Sequence, residues 1–454
     1  MPVDLQLEAA ECGQEFPSRR VNSAASGVTS AGALLRPGHW AVLIGLVALG
    51  SLLRVWAVFQ YNPLEILVTD PGRWWEEATH LSSLQPIAAI DTFGYPLWLG
   101  LFVKLTGGGA LAVALHNAAL SVITPWIWHR LVREVSDDRD IALLSWAAFC
   151  WLPSWISIYS YTMSETLFLP LLGAALWLSV KAYKQASTGP YFASACLWAL
   201  ACATRVFALP IAVVMLLWTC RNPRRISKLG YAALAFAVIA IPLSIRTHYI
   251  LNVWHPFGFP RMNQIYVESG KRTVRFDVSR ESDGYRWTYE FGSPSLYQEP
   301  FTPLSHWKSA RSGTTYFSIR EDHGMADWDL ALQANRSSWR ERMQVWSENF
   351  IFFNFAPSWP DDNPNRVADE AASMFRWCWV PLALVVIAGN MRHRKQLGSG
   401  IAGMFAVVTT LAWTLTPLLP AVMEGRYRKP VEGLLLVNLF LLIECRRERL
   451  ATAV

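Results

Sequence analysis

The sequence predicts an all-α membrane protein with about ten spanning helices. Three observations carry this. The 454-residue chain is 53% hydrophobic, with mean hydropathy +0.23, yet only 16% charged; soluble domains carry about 25%. Its apolar residues gather in runs of about twenty, the length that crosses a hydrocarbon core of about 30 Å. Its 23 Trp and 14 Tyr suit two interfacial belts, where amphipathic rings sit at headgroup level.

In chain order, residues 1–38 are polar and small and read as a disordered cytoplasmic N-terminus. Arg19-Arg20 is followed by no small-residue cleavage pattern, so the first apolar run reads as a retained anchor. The runs lie at 40–60, 109–130, 140–160, 164–183, 190–204, 206–220, 229–250, 374–391, 400–421 and 430–445. Pro210 suits a helix starting close by, since proline is tolerated in a first turn. The stretch from Gly94 to Lys104 is apolar but too short to span, and predicts an amphipathic interfacial or re-entrant helix in a first outer loop, 60–108. The chain thus divides into residues 39–250, a polar extracytoplasmic segment 251–372, and C-terminal spanning helices in 373–454. Within the polar segment, Trp339, Met343, Trp346 and Phe350 form one helical stripe opposite Arg340, Arg342 and Glu348, predicting a helix lying on the membrane surface.

Orientation follows from the basic short loops. Arg130, Arg133 and Arg139, then Lys181 and Lys184, then Arg221, Arg224, Arg225 and Lys228, then Arg392, Arg394 and Lys395, and the tail Arg446, Arg447 and Arg449 all fall on one side, with both termini. This makes the net charge of +6 a membrane-topology signal and argues against nucleic acid as a partner. The seven cysteines include no Cys-x-x-Cys, and none lies in 251–372, so that segment holds no disulfide.

The unusual polar chemistry lies on the opposite side. Asp70, with Glu76 and Glu77, follows the first run; Asp70 either caps a helix that Pro71 starts or serves as a general base. Glu165 follows Ser164 at the outer end of a helical hairpin, either at a capped helix start or as a functional group at the membrane boundary. Arg205, Arg246, His248, Arg426 and Arg428 stand at outer helix ends. Arginine's planar fork suits phosphate, although each alone is also a common interface anchor. Metal ligation finds little support, because His80, His248, His255, His306 and His323 are scattered with no His-x-x-x-His. There is no Walker loop, dinucleotide fingerprint or Gly-x-Ser-x-Gly elbow, which argues against cytosolic ATP as the energy source.

Four fragments in order carry a resemblance: Asp70-Pro-Gly-Arg-Trp-Trp-Glu-Glu-Ala78 with Gly94-Tyr-Pro-Leu-Trp-Leu-Gly-Leu and Lys104-Leu-Thr-Gly107; Ser164-Glu-Thr-Leu-Phe168; Thr204-Arg-Val-Phe-Ala-Leu-Pro210 with Ile241-Pro-Leu-Ser-Ile-Arg246; and Glu424-Gly-Arg-Tyr-Arg-Lys-Pro-Val-Glu432. In these the chain resembles the GT-C superfamily of polytopic glycosyltransferases. Within it, the chain is similar to relatives of protein O-mannosyltransferases and the lipid A aminoarabinose transferase.

The resemblance implies a GT-C-like fold. It also implies inverting transfer of a sugar from a polyprenyl-phosphate donor to a hydroxyl of a glycan, lipid or protein, at the outer face of the plasma membrane. Asp70 matches the base that activates the acceptor, and Glu165 would orient the acceptor or hold a cation. Arg205, Arg246, Arg426 and Arg428 would contact the donor phosphate, with Glu76, Glu77, Tyr95, His248, Glu424 and Tyr427 as further candidates. The long outer segment would cover the donor. A divalent cation, present in some relatives, stays an open cofactor assignment. The chain departs from the pattern where Pro71 follows Asp70 in place of a second acid. It departs again at Phe93-Gly94-Tyr95-Pro96, where some members have a lysine before Pro-Pro, and at Arg246-Thr247 in place of Arg-Asn. The rival class is a non-enzymatic flippase or transporter of lipid-linked sugars, which predicts ionisable groups spread through the helices.

Overall fold

The computed structural model describes residues 37–67, 69–82, 92–220, 225–251, 254, 256, 273–281, 284–291, 315–320, 347, 350, 353–355, 366–398, 400–418 and 425–452. Ten helices precede the polar segment: α1 Pro37–Gln60, α2 Thr69–Thr79, α3 Gly94–Thr106, α4 Ala110–Val135, α5 Arg139–Cys150, α6 Pro153–Ile158, α7 Ser164–Gln185, α8 Thr188–Thr204, α9 Ala208–Thr219 and α10 Arg225–Leu251. Beyond it come α11 Val367–Arg392, α12 Arg394–Leu397, α13 Ile401–Leu415 and α14 Lys429–Thr452, the last entered through a 3-10 turn, Gly425–Arg428.

Every apolar run becomes helical, but in different ways. Among the described residues, five helices are long and apolar enough to cross a membrane by length and composition: α1, α4, α7, α10 and α11. Helices α9 and α13 are apolar and shorter. The run 140–160 does not form one helix. It breaks at Leu152, whose backbone is extended ahead of Pro153, giving α5 and α6; the residue before proline is pushed out of the helical region.

That break leaves carbonyls at the end of α5 that helix geometry cannot satisfy. Arg54 of α1 supplies the donors. Fully buried, it donates from Nε to Cys150 O at 2.8 Å, from Nη2 to Phe149 O at 2.7 Å and from Nη1 to Trp155 O at 3.3 Å and Ser121 O at 3.2 Å. A charged side chain inside a spanning helix is tolerated here because backbone dipoles surround it.

Helix α7 is the centre of the bundle: 67% of its apolar window is buried, against 22% for α10 and α11. It packs on α4 and α8, with α10 against α8, and α1 and α4 against α5. Trp128 of α4 anchors the core beside Trp155 and Phe149, whose rings stack 5.5 Å apart, and donates its indole N–H to Leu169 O at 3.0 Å.

In the first outer loop, α2 and α3 pack together. Gly100 permits the approach, since a Cβ there would lie 2.5 Å from Ala78 O. Helix α3 buries Tyr95, Pro96 and Leu99 and exposes Leu97, Trp98, Leu101 and Leu105.

The polar segment adds what the all-α expectation did not include. Strands β1 Thr273–Glu281, β2 Gly284–Phe291 and β3 Thr315–Arg320 form an antiparallel sheet in the order β2-β1-β3. Val274 pairs with Phe291 and Ile319, and Phe276 with Tyr289 and Phe317. The sequence Thr-Val-Arg-Phe-Asp-Val-Ser alternates with the period of a strand, not a helix. The predicted surface helix at 339–350 lies outside the described residues apart from Ser347 and Phe350.

Candidate active site

The site is built where the first turn of α2, the start of α7, the end of α8 and the 3-10 turn before α14 meet. Asp70 lies inside the first turn of α2, which begins at Thr69. Its Oδ1 accepts from Arg73 Nη2 at 2.7 Å, and its Oδ2 pairs with Arg426 Nη2 at 2.5 Å. Arg426 continues to the second acid, with Nε 4.0 Å from Glu165 Oε1. That same oxygen accepts from Arg205 Nη2 at 2.5 Å, while Arg205 Nε donates to Ser164 Oγ at 3.0 Å. Ser164 is therefore not the cap of α7: it is the first helical residue, Met163 holds the cap position, and the hydroxyl serves Arg205. Arg205 and Arg426 both lie over the Tyr427 ring, at 5.4 and 5.6 Å.

The result is an alternating chain, Arg73–Asp70–Arg426–Glu165–Arg205. Glu165 sits in the first turn of α7, at the positive end of the helix dipole. Tyr95 completes the wall. Fully buried, it meets Trp74 edge-on at 6.0 Å, and its hydroxyl lies beside Thr166 and Glu165. Burial raises the phenol above its ordinary range, with the Glu165 charge adding to the effect, so it stays protonated. Gly94 is what lets α3 come this close. A Cβ there would lie 2.6 Å from the carbonyl of Ala203, two residues before Arg205, and Thr92 ties down Thr204 O at 2.5 Å.

Other expected residues fall elsewhere. Arg246 stacks on Phe93 at 3.6 Å and feels the charge of buried Glu77, forming a second basic position on α10. His248 stacks on Trp254 at 4.2 Å. Glu76 is exposed on α2. Arg428 is turned into the protein. It donates to Phe353 O and Asn354 O at 3.0 Å and to Glu432 at 3.1 Å, so its fork is occupied by structure. Glu424 lies outside the described residues.

Several contributing residues escaped the sequence reading. Arg73 carried one signal, its i+3 spacing to Asp70. The turn leading to Glu165 is held by a relay with fixed proton positions. The Trp98 indole donates to His116 Nε2 at 2.8 Å, so Nδ1 carries the ring hydrogen and donates to Asn117 Oδ1 at 2.9 Å. Asn117 Nδ2 then donates to Tyr159 O and Tyr161 O, each at 3.0 Å. From the other side Tyr161 donates to Asp369 at 2.5 Å, and Arg366 stacks on Tyr61 and Tyr161 while pairing with Glu65 at 2.9 Å. A His-Asn pair inside an apolar run was the available signal.

Among the described residues no three His, Cys, Asp or Glu side chains gather to hold a metal. Asp70 and Glu165 are both engaged by guanidiniums, a donor set that does not fit a dication.

Residues 91–245, about a third of the chain, match the family described as dolichyl-phosphate-mannose-protein mannosyltransferase. The matched stretch contains Tyr95, Glu165 and Arg205. The crystal structure of the Archaeoglobus fulgidus oligosaccharyltransferase, tethered to an acceptor peptide, is similar with a TM-score of 0.49 and 13% identity. That match covers 90% of this chain and 50% of the archaeal one, so this chain spans half its length. No curated protein matches in sequence.

Proposed function

We propose that this multi-pass membrane protein is a glycosyltransferase that moves a sugar from a polyprenyl-phosphate donor to an acceptor hydroxyl. The observation that carries the reading is the joining of Asp70, Glu165, Arg205 and Arg426, contributed by four separate elements, into one partly buried cluster at one end of the bundle. The match of residues 91–245 to a family of lipid-phosphate-sugar mannosyltransferases supports it.

Asp70 takes the acceptor proton as the hydroxyl attacks the anomeric carbon from the face opposite the phosphate, which inverts the configuration. Arg426 and Arg205 stabilise the charge that develops on the leaving phosphate, an interaction stronger in the transition state than in the ground state. Arg246, beside Glu77 and Phe93, is a second contact for the donor head. Tyr95 and Glu165 orient the acceptor. Both termini are cytoplasmic, and the site, with segment 251–372, lies outside the plasma membrane. The flippase alternative draws less support, since Asp70, Glu165, Arg205 and Arg426 gather at helix ends and are not spread along the spanning helices.

The test is transfer from polyprenyl-phosphate sugars to candidate acceptors by purified protein, comparing wild type with Asp70→Asn. We expect a loss of about 10²- to 10⁴-fold, the usual contribution of a general base. Undiminished transfer by the variant would remove Asp70 from this role.

A further inference from the structure

Asp70 is gripped at both carboxylate oxygens, by Arg73 on one and Arg426 on the other. A base whose lone pairs already hold two charge-assisted hydrogen bonds is poorly placed to accept a hydroxyl proton. The two grips differ in kind. Arg73 lies on the same helix as Asp70, three residues on, and moves with it. Arg205 is locked at 2.5 Å to Glu165 and at 3.0 Å to Ser164. Arg426 comes from a short 3-10 turn, bridges acids on two different helices, and holds the second of them only at 4.0 Å. It is the guanidinium that links the two acids.

We propose that the donor phosphate and Asp70 compete for Arg426, so that donor binding is the event that releases the base. The inference rests on the glycosyl-transfer reading above and adds an order to it: donor first, then activation of the acceptor.

The charges of the cluster fit this exchange at both ends of the reaction. Three guanidiniums and two carboxylates leave one positive charge over, equal and opposite to a sugar phosphodiester. In the reaction the acceptor oxygen forms a bond to the anomeric carbon and its proton passes to Asp70. The bond from that carbon to the phosphate oxygen breaks, and its electron pair stays on phosphate. Protonated Asp70 no longer counters Arg426, so the cluster gains one positive charge as the leaving phosphate becomes a monoester bearing about −1.5 to −2. Without donor, Arg426 returns to Asp70 and the base is silent.

The exchange is measured as equilibrium binding of polyprenyl phosphate to the full-length protein in zwitterionic-lipid nanodiscs, with inorganic phosphate as a parallel probe. Asp70→Asn removes the competitor while keeping the side-chain shape. It should bind polyprenyl phosphate about two- to fivefold more tightly than wild type, the range for losing one competing ion pair. The gain should vanish in Asp70→Asn combined with Arg426→Gln, and Arg426→Gln alone should bind more weakly than wild type. If Asp70→Asn does not fold, Asp70→Ser serves the same purpose.

Unchanged or weaker binding by the folded Asp70 variant, while Arg426→Gln still weakens binding, overturns the exchange and leaves the donor site standing. Wild type that fails to bind, or Arg426→Gln that binds as wild type does, overturns both. A gain for inorganic phosphate equal to that for the lipid also overturns the proposal, because the site would then be a general anion site.

Discussion

At the scale of single residues, four arginines that look alike in sequence separate by what their forks already hold. Arg205 and Arg426 face acids across the cluster, Arg246 faces Glu77 and Phe93, and Arg428 is spent on two backbone carbonyls and Glu432. Removing Arg428 strips buried Glu432 of its ion pair and leaves it the Ser154 hydroxyl, a change that typically costs about 3–5 kcal/mol. Arg428→Ala should therefore lower the unfolding temperature in detergent while leaving the donor KM of the surviving folded protein unchanged. Arg205→Ala should do the reverse, raising donor KM or lowering kcat by about tenfold or more. Tyr95→Phe keeps the edge-on packing against Trp74 and loses only the hydroxyl. We expect wild-type stability and a kcat reduced by about tenfold. Recovery of wild-type kcat by the phenylalanine variant would mean that the hydroxyl touches nothing that reacts.

At the scale of elements, the site depends on helix ends, and each end is braced by a residue outside it. The turn before α7 takes two hydrogen bonds from Asn117 and one contact each from Ala57, Pro63 and Asp369. Asn117→Ala leaves two buried carbonyls without their donor, about 1–3 kcal/mol each, and should lower kcat more than it alters donor KM, because Glu165 shifts while Arg205 stays on α8. Gly94→Ala is a sharper probe of the same geometry. Its Cβ would collide with the backbone just before Arg205, so loss of transfer in a folded variant is expected, and a larger residue at the exposed Leu97 should be harmless. Arg54→Leu tests the other end of the principle: with no donors for the carbonyls after α5, the thermal midpoint should fall steeply although the side chain is far from Asp70 in the chain.

At the scale of the whole molecule, the two ends of the bundle are chemically distinct. Opposite the acid–arginine cluster, the loop before α5 meets the tail of α14 through Asp138 and Arg447 and through Asp137 and Glu444, and Trp40 at the start of α1 donates to Asp140. These are the helix ends that the basic-loop count assigns to the cytoplasm. In a cysteine-free background, a cysteine at exposed Thr79 should react with an impermeant maleimide in intact cells. One at Lys184 should react only after the membrane is opened. Equal labelling of both would overturn the orientation.

The helices and their order were legible because hydrophobic run length and basic loops are local signals that a bilayer enforces along the chain. So was the list of acids and arginines at the outer ends. The break of α5 from α6 was announced by Pro153 but concealed inside one apolar run, and the strands by a period-two pattern within a polar stretch read only for helical stripes. Which arginine answers which acid was not legible at all. Asp70 and Arg426 are neighbours only because α2 and the turn before α14 are folded against α7, and a side chain's partner is set by three-dimensional packing, not by its type. The sequence by itself determined the membrane habit and the chemical inventory of this protein. Only the tertiary structure decided that Arg428 belongs to the scaffold and Arg426 to the cluster, because two arginines separated by a single residue on a tight turn point to different surroundings.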